Sequence, residues 1–213
     1  MSKEVIKLYE KYDKMQLAQL PRVVFEGRIV VIDSEVEAKK AVRYLLSQSL
    51  LGFDTETRPT FRPGPMNRVA LLQVATEDTC FLFRLNKMGL TPSLVQLLSD
   101  KDVTKIALSW RDDTNQLKRL GEVEMEGFIE LQNYVSTFGI KDQSLQKLYA
   151  NVFGQRISKA QQLTNWEADE LTDAQTVYAA TDAWACLRLY EKFEEIRNDN
   201  NWQLIEDEEP VSE

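Results

Sequence analysis

Histidine is absent from all 213 residues. Without an imidazole the chain cannot run a Ser-His-Asp or Cys-His mechanism, cannot ligate zinc through histidine and has no histidine general base. Any chemistry must rest on carboxylates, lysine, tyrosine, hydroxyls, thiols or hard cations. Cysteine is almost absent: Cys80 and Cys186 stand far apart in apolar surroundings, outside any C-x-x-C spacing, which argues against a zinc knuckle or disulfide framework and predicts two buried structural thiols. No apolar run nears the roughly 20 residues that cross a bilayer, so no membrane association is expected. The opening MSKEVIKLYEKYDK is charged throughout and has no apolar h-region, so no secretory signal is read. An intracellular, cytoplasmic setting is expected, nucleoid-associated if the source is bacterial.

Positive charge is also scarce, with 26 Lys and Arg against 34 Asp and Glu and a formal net charge of -8. A polyanionic partner usually meets a basic surface, so this balance argues against nucleic acid. The objection weakens where acids gather around divalent cations, because bound cations invert the local field.

What is present suits one domain with a substantial core. Residues 1–20 space apolar and charged positions helically and end at Pro21, which predicts an amphipathic N-terminal helix. RVVFEGRIVVID reads as strand, and Ser34 with Glu37 forms a capping box opening a helix with Ala38, Ala41, Val42 and Leu45 on one face. SLLGFDTET, RVALLQVAT, CFLFR, VTKIALS and GFIELQ read as strands. Between and after them come helices at Thr91–Leu98, in DDTNQLKRLG and over 131–152, the last interrupted near Gly139. Residues 154–171 form an irregular loop long enough to be functional, and a second capping box, Thr172 with Gln175, starts a helix running to about Arg197. The rest, from residue 198, is acidic and aperiodic and is expected to be disordered. Strands, then alternating elements, then helices imply an α/β fold with a mixed central sheet flanked by helices.

Within this order, acids recur where a cation could use them. Asp54 and Glu56 are two apart on a strand and leave the same face. Taken alone, the pair is better accounted for by a charged strand end running into the RPTFRPGP loop. Tyr178 and Asp182 share a helix face, with Ala179, Ala180 and Ala183 leaving room for a close approach. Asp112 and Asp113 follow a buried strand at a helix start, where capping competes with metal binding.

FDTE, an aspartate opening a helix after a strand, and YAATDA together resemble the three motifs of the DEDD-type 3′-5′ exonucleases, tyrosine subclass. GFDTETRPTF, RVALLQVAT, GFIELQ, TNWE and LTDAQTVYAATDAWA are similar to Werner-helicase-type exonuclease domains, and more distantly to ribonuclease D. The likeness covers most of residues 22–195 and implies a ribonuclease H-like fold. The sister subclass carries histidine where this chain has Tyr178, so a chain without histidine falls outside it.

The resemblance implies that Asp54, Glu56, Asp113 and Asp182 bind two divalent cations, Mg2+ or Mn2+, and that Tyr178 orients the attacking water. Asp112 is the fallback for Asp113, because SWRDD replaces the glycine-rich approach of the Werner type. The implied reaction is hydrolysis from the 3′ end of single-stranded or recessed nucleic acid, releasing nucleoside 5′-monophosphates. DNA, in a DNA-repair setting, is favoured by the overall likeness. Ribonuclease D-like RNA trimming and a non-catalytic binding module are the alternatives. Arg58, Phe61, Arg62 and Arg68 after the first acids, and Arg156 with Lys159 in the later loop, are the candidate substrate contacts. The expected organisation is a helical extension over 1–21, an exonuclease domain over 22–197 and an acidic tail over 198–213, with neither a helicase nor a C-terminal helical domain.

Overall fold

The computed structural model describes residues 5–61 and 67–207. The chain enters through strand β1 (Ile6–Tyr9) and a short helix α1 (Lys14–Gln19), then runs through β2 (Arg28–Ile32), α2 (Glu35–Leu45) and β3 (Leu50–Thr57). Strands β4 (Val69–Ala75) and β5 (Thr79–Arg84) follow, then α3 (Leu85–Met88), α4 (Pro92–Leu98), β6 (Thr104–Ala107), α5 (Trp110–Lys118) and β7 (Phe128–Glu130). Helices α6 (Leu131–Ser136), α7 (Leu145–Phe153) and α8 (Asp173–Asp199) lead to β8 (Trp202–Ile205).

Six strands form one mixed sheet in the order β2-β5-β4-β3-β6-β7. Strand β4 pairs antiparallel with both β3 and β5, while β2–β5, β3–β6 and β6–β7 are parallel. Strand β3, bearing FDTE, is therefore central, and both of its faces are covered. On one face Leu51 and Phe53 pack with Val42, Leu45, Leu94, Leu98 and Trp110 from α2, α4 and α5. Helix α8 covers the other face, burying Ala179, Ala180 and Ala183 against Leu71, Ala75 and Leu82. The Thr172–Gln175 capping box is formed at its start. At α2 the Ser34 hydroxyl instead donates to Glu37, so the box predicted there is not made.

Close approach of α8 depends on Gly52. A Cβ there would fall inside contact distance of the Ala183 carbonyl oxygen, a backbone atom that cannot swing aside. Gly52→Ala should therefore lower stability by about 2 kcal/mol, the usual scale of overpacking. For a chain of this size that is about 4–8 °C in melting temperature, readable by scanning calorimetry. An unchanged melting temperature would mean that α8 sits further from β3 than described.

The two chain ends depart from the sequence expectation. Of the helix expected over 1–20, Lys14–Gln19 is helical, whereas Ile6–Tyr9 is extended and pairs in parallel with Trp202–Ile205, a segment read from the sequence as unordered tail; residues 1–4 and 208–213 of these ends lie outside the described residues. Asn151 secures the clasp, accepting from Tyr9 N at 2.9 Å and donating to Tyr9 O at 2.7 Å. The partners are almost the whole chain apart, so neither segment carries a local signal of the pairing.

Candidate active site

Alternation along β3 sends Asp54 and Glu56 to the α8 face and Thr55 to the other. Helix α8 brings Asp182 down onto the same spot. One ligand oxygen from each of Asp54, Glu56 and Asp182 lies within 4.8 Å of the others. Glu56 and Asp182 are buried, and Asp182 Oδ1 has no hydrogen-bond partner among the described residues.

Asp113 stands beside this triad. Thr55 donates its hydroxyl to Asp113 Oδ1, and the charge of Asp113 bears on both Asp54 and Glu56. Asp112 is exposed. Asp113 owes its place to a sharp turn in which Ser109 adopts φ 60°, a left-handed conformation more usual for glycine or asparagine. Glu130 holds that turn: its carboxylate accepts from Ser109 N at 2.8 Å, Trp110 N at 2.7 Å and Gln132 N at 3.2 Å. Sequence reasoning missed Glu130. The acid within GFIELQ that closes the strand directly before a helix was the signal available.

Crowding buried carboxyls disfavours their ionisation. Burial, then the charges of Asp182 and Asp113, holds Asp54 well above the usual carboxylate range. The same causes push Glu56 up to about 10, burial first and then Asp54. Asp113 rises to about 6, mainly by burial and against the Thr55 hydrogen bond. Burial lifts Asp182 to about 7, opposed by the hydroxyl of Tyr178 and the charge of Lys159. Tyr178, raised by burial and then by Asp182 and Glu56, stays a neutral O–H donor at physiological pH. An all-oxygen donor set, a partnerless buried carboxylate oxygen and mutual repulsion together fit hard divalent cations.

Two openings flank the acids. A groove of about 250 Å³ is lined by Asp54, Tyr178 and Asp182 with Ser109, Ser144, Gln146, Ser158, Lys159 and Gln162. A recess of about 510 Å³ beyond Glu56 is lined by Arg58, Asn67, Gln162 and Leu163. Gln162 borders both. The 154–171 loop that carries it is pinned by Arg84, which donates to the carbonyls of Ala168 and Asp169, and by Gln175, which donates to Thr164 Oγ1 and Asn165 O. Trp166 is fully buried beneath it.

Of the predicted substrate contacts, Lys159 lines the groove, and Arg58 lines the recess while pairing with Glu167 at 3.2 Å. Phe61 is 77 % exposed. Arg68 belongs to a separate hollow with Asn86 and Leu120. Arg156 donates its Nε to Leu20 O at 2.9 Å and lines neither opening. Arg62 lies outside the described residues. Cys80 and Cys186 are buried free thiols, as expected.

A mixed sheet with carboxylates gathered on its central strand beneath a long helix is the arrangement of ribonuclease H-like exonuclease domains. A crystal structure of the Aedes aegypti Nibbler EXO domain shares the fold with a TM-score of 0.73 at 24% identity, covering 84% of this chain and 92% of that one. The chain belongs to the 3′-5′ exonuclease family, whose model matches residues 29–197. It is 33% identical over 184 residues to the mouse bifunctional 3′-5′ exonuclease/ATP-dependent helicase WRN, covering 81% of this chain and 13% of that protein. It is 26% identical over 192 residues to a 3′-5′ exonuclease of Arabidopsis thaliana, covering 83% of this chain and 67% of the relative. The chain thus spans a small part of the mouse protein and about two thirds of the plant one. Among the described residues no helix is long and apolar enough to cross a membrane.

Proposed function

We propose that this chain hydrolyses phosphodiester bonds from the 3′ end of nucleic acid, releasing nucleoside 5′-monophosphates, with Asp54, Glu56, Asp113 and Asp182 holding two divalent cations. The observation that carries this reading is the convergence of Asp54, Glu56 and Asp182 oxygens within 4.8 Å between two openings. Bound there, Mg2+ or Mn2+ would supply Lewis acidity for the attacking and leaving oxygens of an in-line displacement. The residues of the chain do the rest. Tyr178, kept protonated by its surroundings, orients the nucleophilic water as a hydrogen-bond donor and acceptor instead of removing its proton. Lys159 sits at the groove wall to meet a phosphate, and the polar lining supplied by Ser109, Ser144 and Gln146 suits a sugar-phosphate backbone. Arg58 and exposed Phe61 serve the strand on the other side.

DNA is slightly favoured over RNA by the overall likeness of the motifs, with ribonuclease D-like RNA trimming as the alternative, and single-stranded or recessed 3′ ends fit openings on both sides of the acids. The nuclease domain is taken to run over residues 22–197. Two buried unpaired thiols suit an intracellular, cytoplasmic setting.

The test is a gel assay on 5′-labelled DNA and RNA oligonucleotides with Mg2+, Mn2+ or chelator. A ladder growing from the 3′ end, dependent on the cation, is expected. Asp113→Asn should slow it by at least about 100-fold, the scale of losing one charge-stabilising group. Asp112→Asn should leave it unchanged. The opposite pattern would transfer the fourth ligand to Asp112, and no ladder on either polymer would refute the activity.

A further inference from the structure

Strand β4 carries a side chain that none of the above uses. Gln73 lies in the middle of β4 and is fully buried, and neither its Nε2 nor its Oε1 has a hydrogen-bond partner among the described residues. A carboxamide left so is costly, and a leucine at that point would not incur the cost. Its neighbours along that face of β4, Leu71 and Ala75, are apolar and buried, which is what the position itself calls for.

The sheet register says what the amide is near. Gln73 lies directly across from Asp54 on the antiparallel strand β3, and directly across from Leu82 on β5. Opposed residues share a face with Cβ atoms about 4.5–5.5 Å apart, which a glutamine side chain spans with ease. Leu82 offers no polar atom. Above this face α8 presents Ala179, Ala180 and Ala183, whose methyl groups offer none either, and the polar aromatic members of the same buried cluster, Tyr178 and Trp166, are not carboxylates. Asp54 is the carboxylate directly across the sheet from Gln73.

We propose that Gln73 is the positioning residue of Asp54, donating a side-chain N–H to its carboxylate when that carboxylate holds a divalent cation. A carboxylate bound to a cation is a charged acceptor, and hydrogen bonds to charged groups are the stronger ones, so the bond belongs to the cation-loaded state. Metal-ligating carboxylates are themselves commonly held by such outer hydrogen bonds, whose loss weakens metal affinity by about 10–100-fold. The inference rests on the reading of Asp54 as a cation ligand.

The experiment uses the full chain as wild type, Gln73→Leu and Gln73→Met. Melting in chelator and Mn2+ titration by calorimetry are measured for each. The expected result has two opposed parts: the variants melt no lower than wild type, and they bind Mn2+ at least about 10-fold more weakly. Their 3′-end cleavage should recover as Mn2+ is raised. A glutamine that merely packs would show lower melting and an unaltered Mn2+ affinity, which would overturn the proposal. In wild type, the Gln73 side-chain amide resonance should move downfield and exchange more slowly on adding Mg2+. A resonance unmoved at saturating Mg2+ overturns the assignment even if neither variant folds. Wild type that takes up no cation would instead sink the metal reading itself, whereas equal binding by wild type and Gln73→Leu sinks the role of Gln73 alone.

Discussion

Asp54→Asn should cleave 3′ ends at least about 10⁴-fold more slowly than wild type, a loss of about 5.5 kcal/mol of transition-state stabilisation. It should also melt higher than wild type in the absence of divalent cations. The two effects have one origin. Asp54 sits at the centre of the cluster, and its carboxyl feels the charges of Asp182 and Asp113 after the larger effect of burial. Asparagine keeps the shape and needs no proton, whereas the buried carboxyl must take one up on folding near neutral pH. The cost that burial and the neighbouring acids place on this carboxyl without cations is relieved, together with the ability to hold them. Cleavage assays and melting curves in chelator check both parts. Retained cleavage would remove Asp54 from the chemistry, and a collapse in melting temperature would make it a structural residue. The companion variant Tyr178→Phe should keep its cation binding.

The stability of wild type in chelator should fall between about pH 5 and about pH 8, and divalent cations should reverse the fall. Unfolded carboxylates titrate near pH 4, so above that the unfolded chain has released its protons. The folded chain retains them until Asp113 ionises at about 6 and Asp182 at about 7, with Glu56 held up to about 10. A folded state that binds more protons than the unfolded one loses stability as pH rises. Glu10 and Glu35 act in the other direction, lowered chiefly by hydrogen bonds from Lys141 and Thr91, but their contribution is lost only below the ordinary carboxylate range. Cations compete with protons for the same oxygens, so the thermal shift they produce should be small near pH 5 and grow towards pH 8. At a hundred times the dissociation constant the gain is about 2.7 kcal/mol, or about 5–10 °C for a chain of this size. Differential scanning fluorimetry with and without Mg2+ or Mn2+ at each pH reads the difference directly. Asp54→Asn should show no such shift, and a wild-type shift independent of pH would mean that the cations act elsewhere on the surface.

Much of the site could be read from the residues because its signals are local. Two acids at strand spacing, a phenol and an acid at helical spacing, and a capping box ahead of them all lie within short windows, and α8 runs from Asp173 as the Thr172 box predicts. What escaped depends on pairing between distant segments. The β1–β8 clasp joins segments that look like a helix and a loose tail when each is taken alone. Gln73 in RVALLQVAT reads as one polar residue in an apolar strand until the register sets it across from Asp54. The same holds for cations. Arg84 and Arg156 are indistinguishable in sequence from phosphate-binding arginines, yet both are spent on backbone carbonyls, of Ala168 and Asp169 in one case and Leu20 in the other. Lys105, fully buried in β6, donates to the carbonyls of Asp100, Val103 and Glu126, a use that no charge count reveals.

The parallel sense of the clasp between Ile6–Tyr9 and Trp202–Ile205 sets how the molecule bears load. Polypeptide entering at Val5 and polypeptide leaving at Glu206 depart from opposite ends of the two-strand ribbon. Tension along the chain then pulls on all its rungs at once, in shear, rather than peeling them apart singly. A tether or fused partner on either side would strain this ribbon before it disturbed the acids under α8.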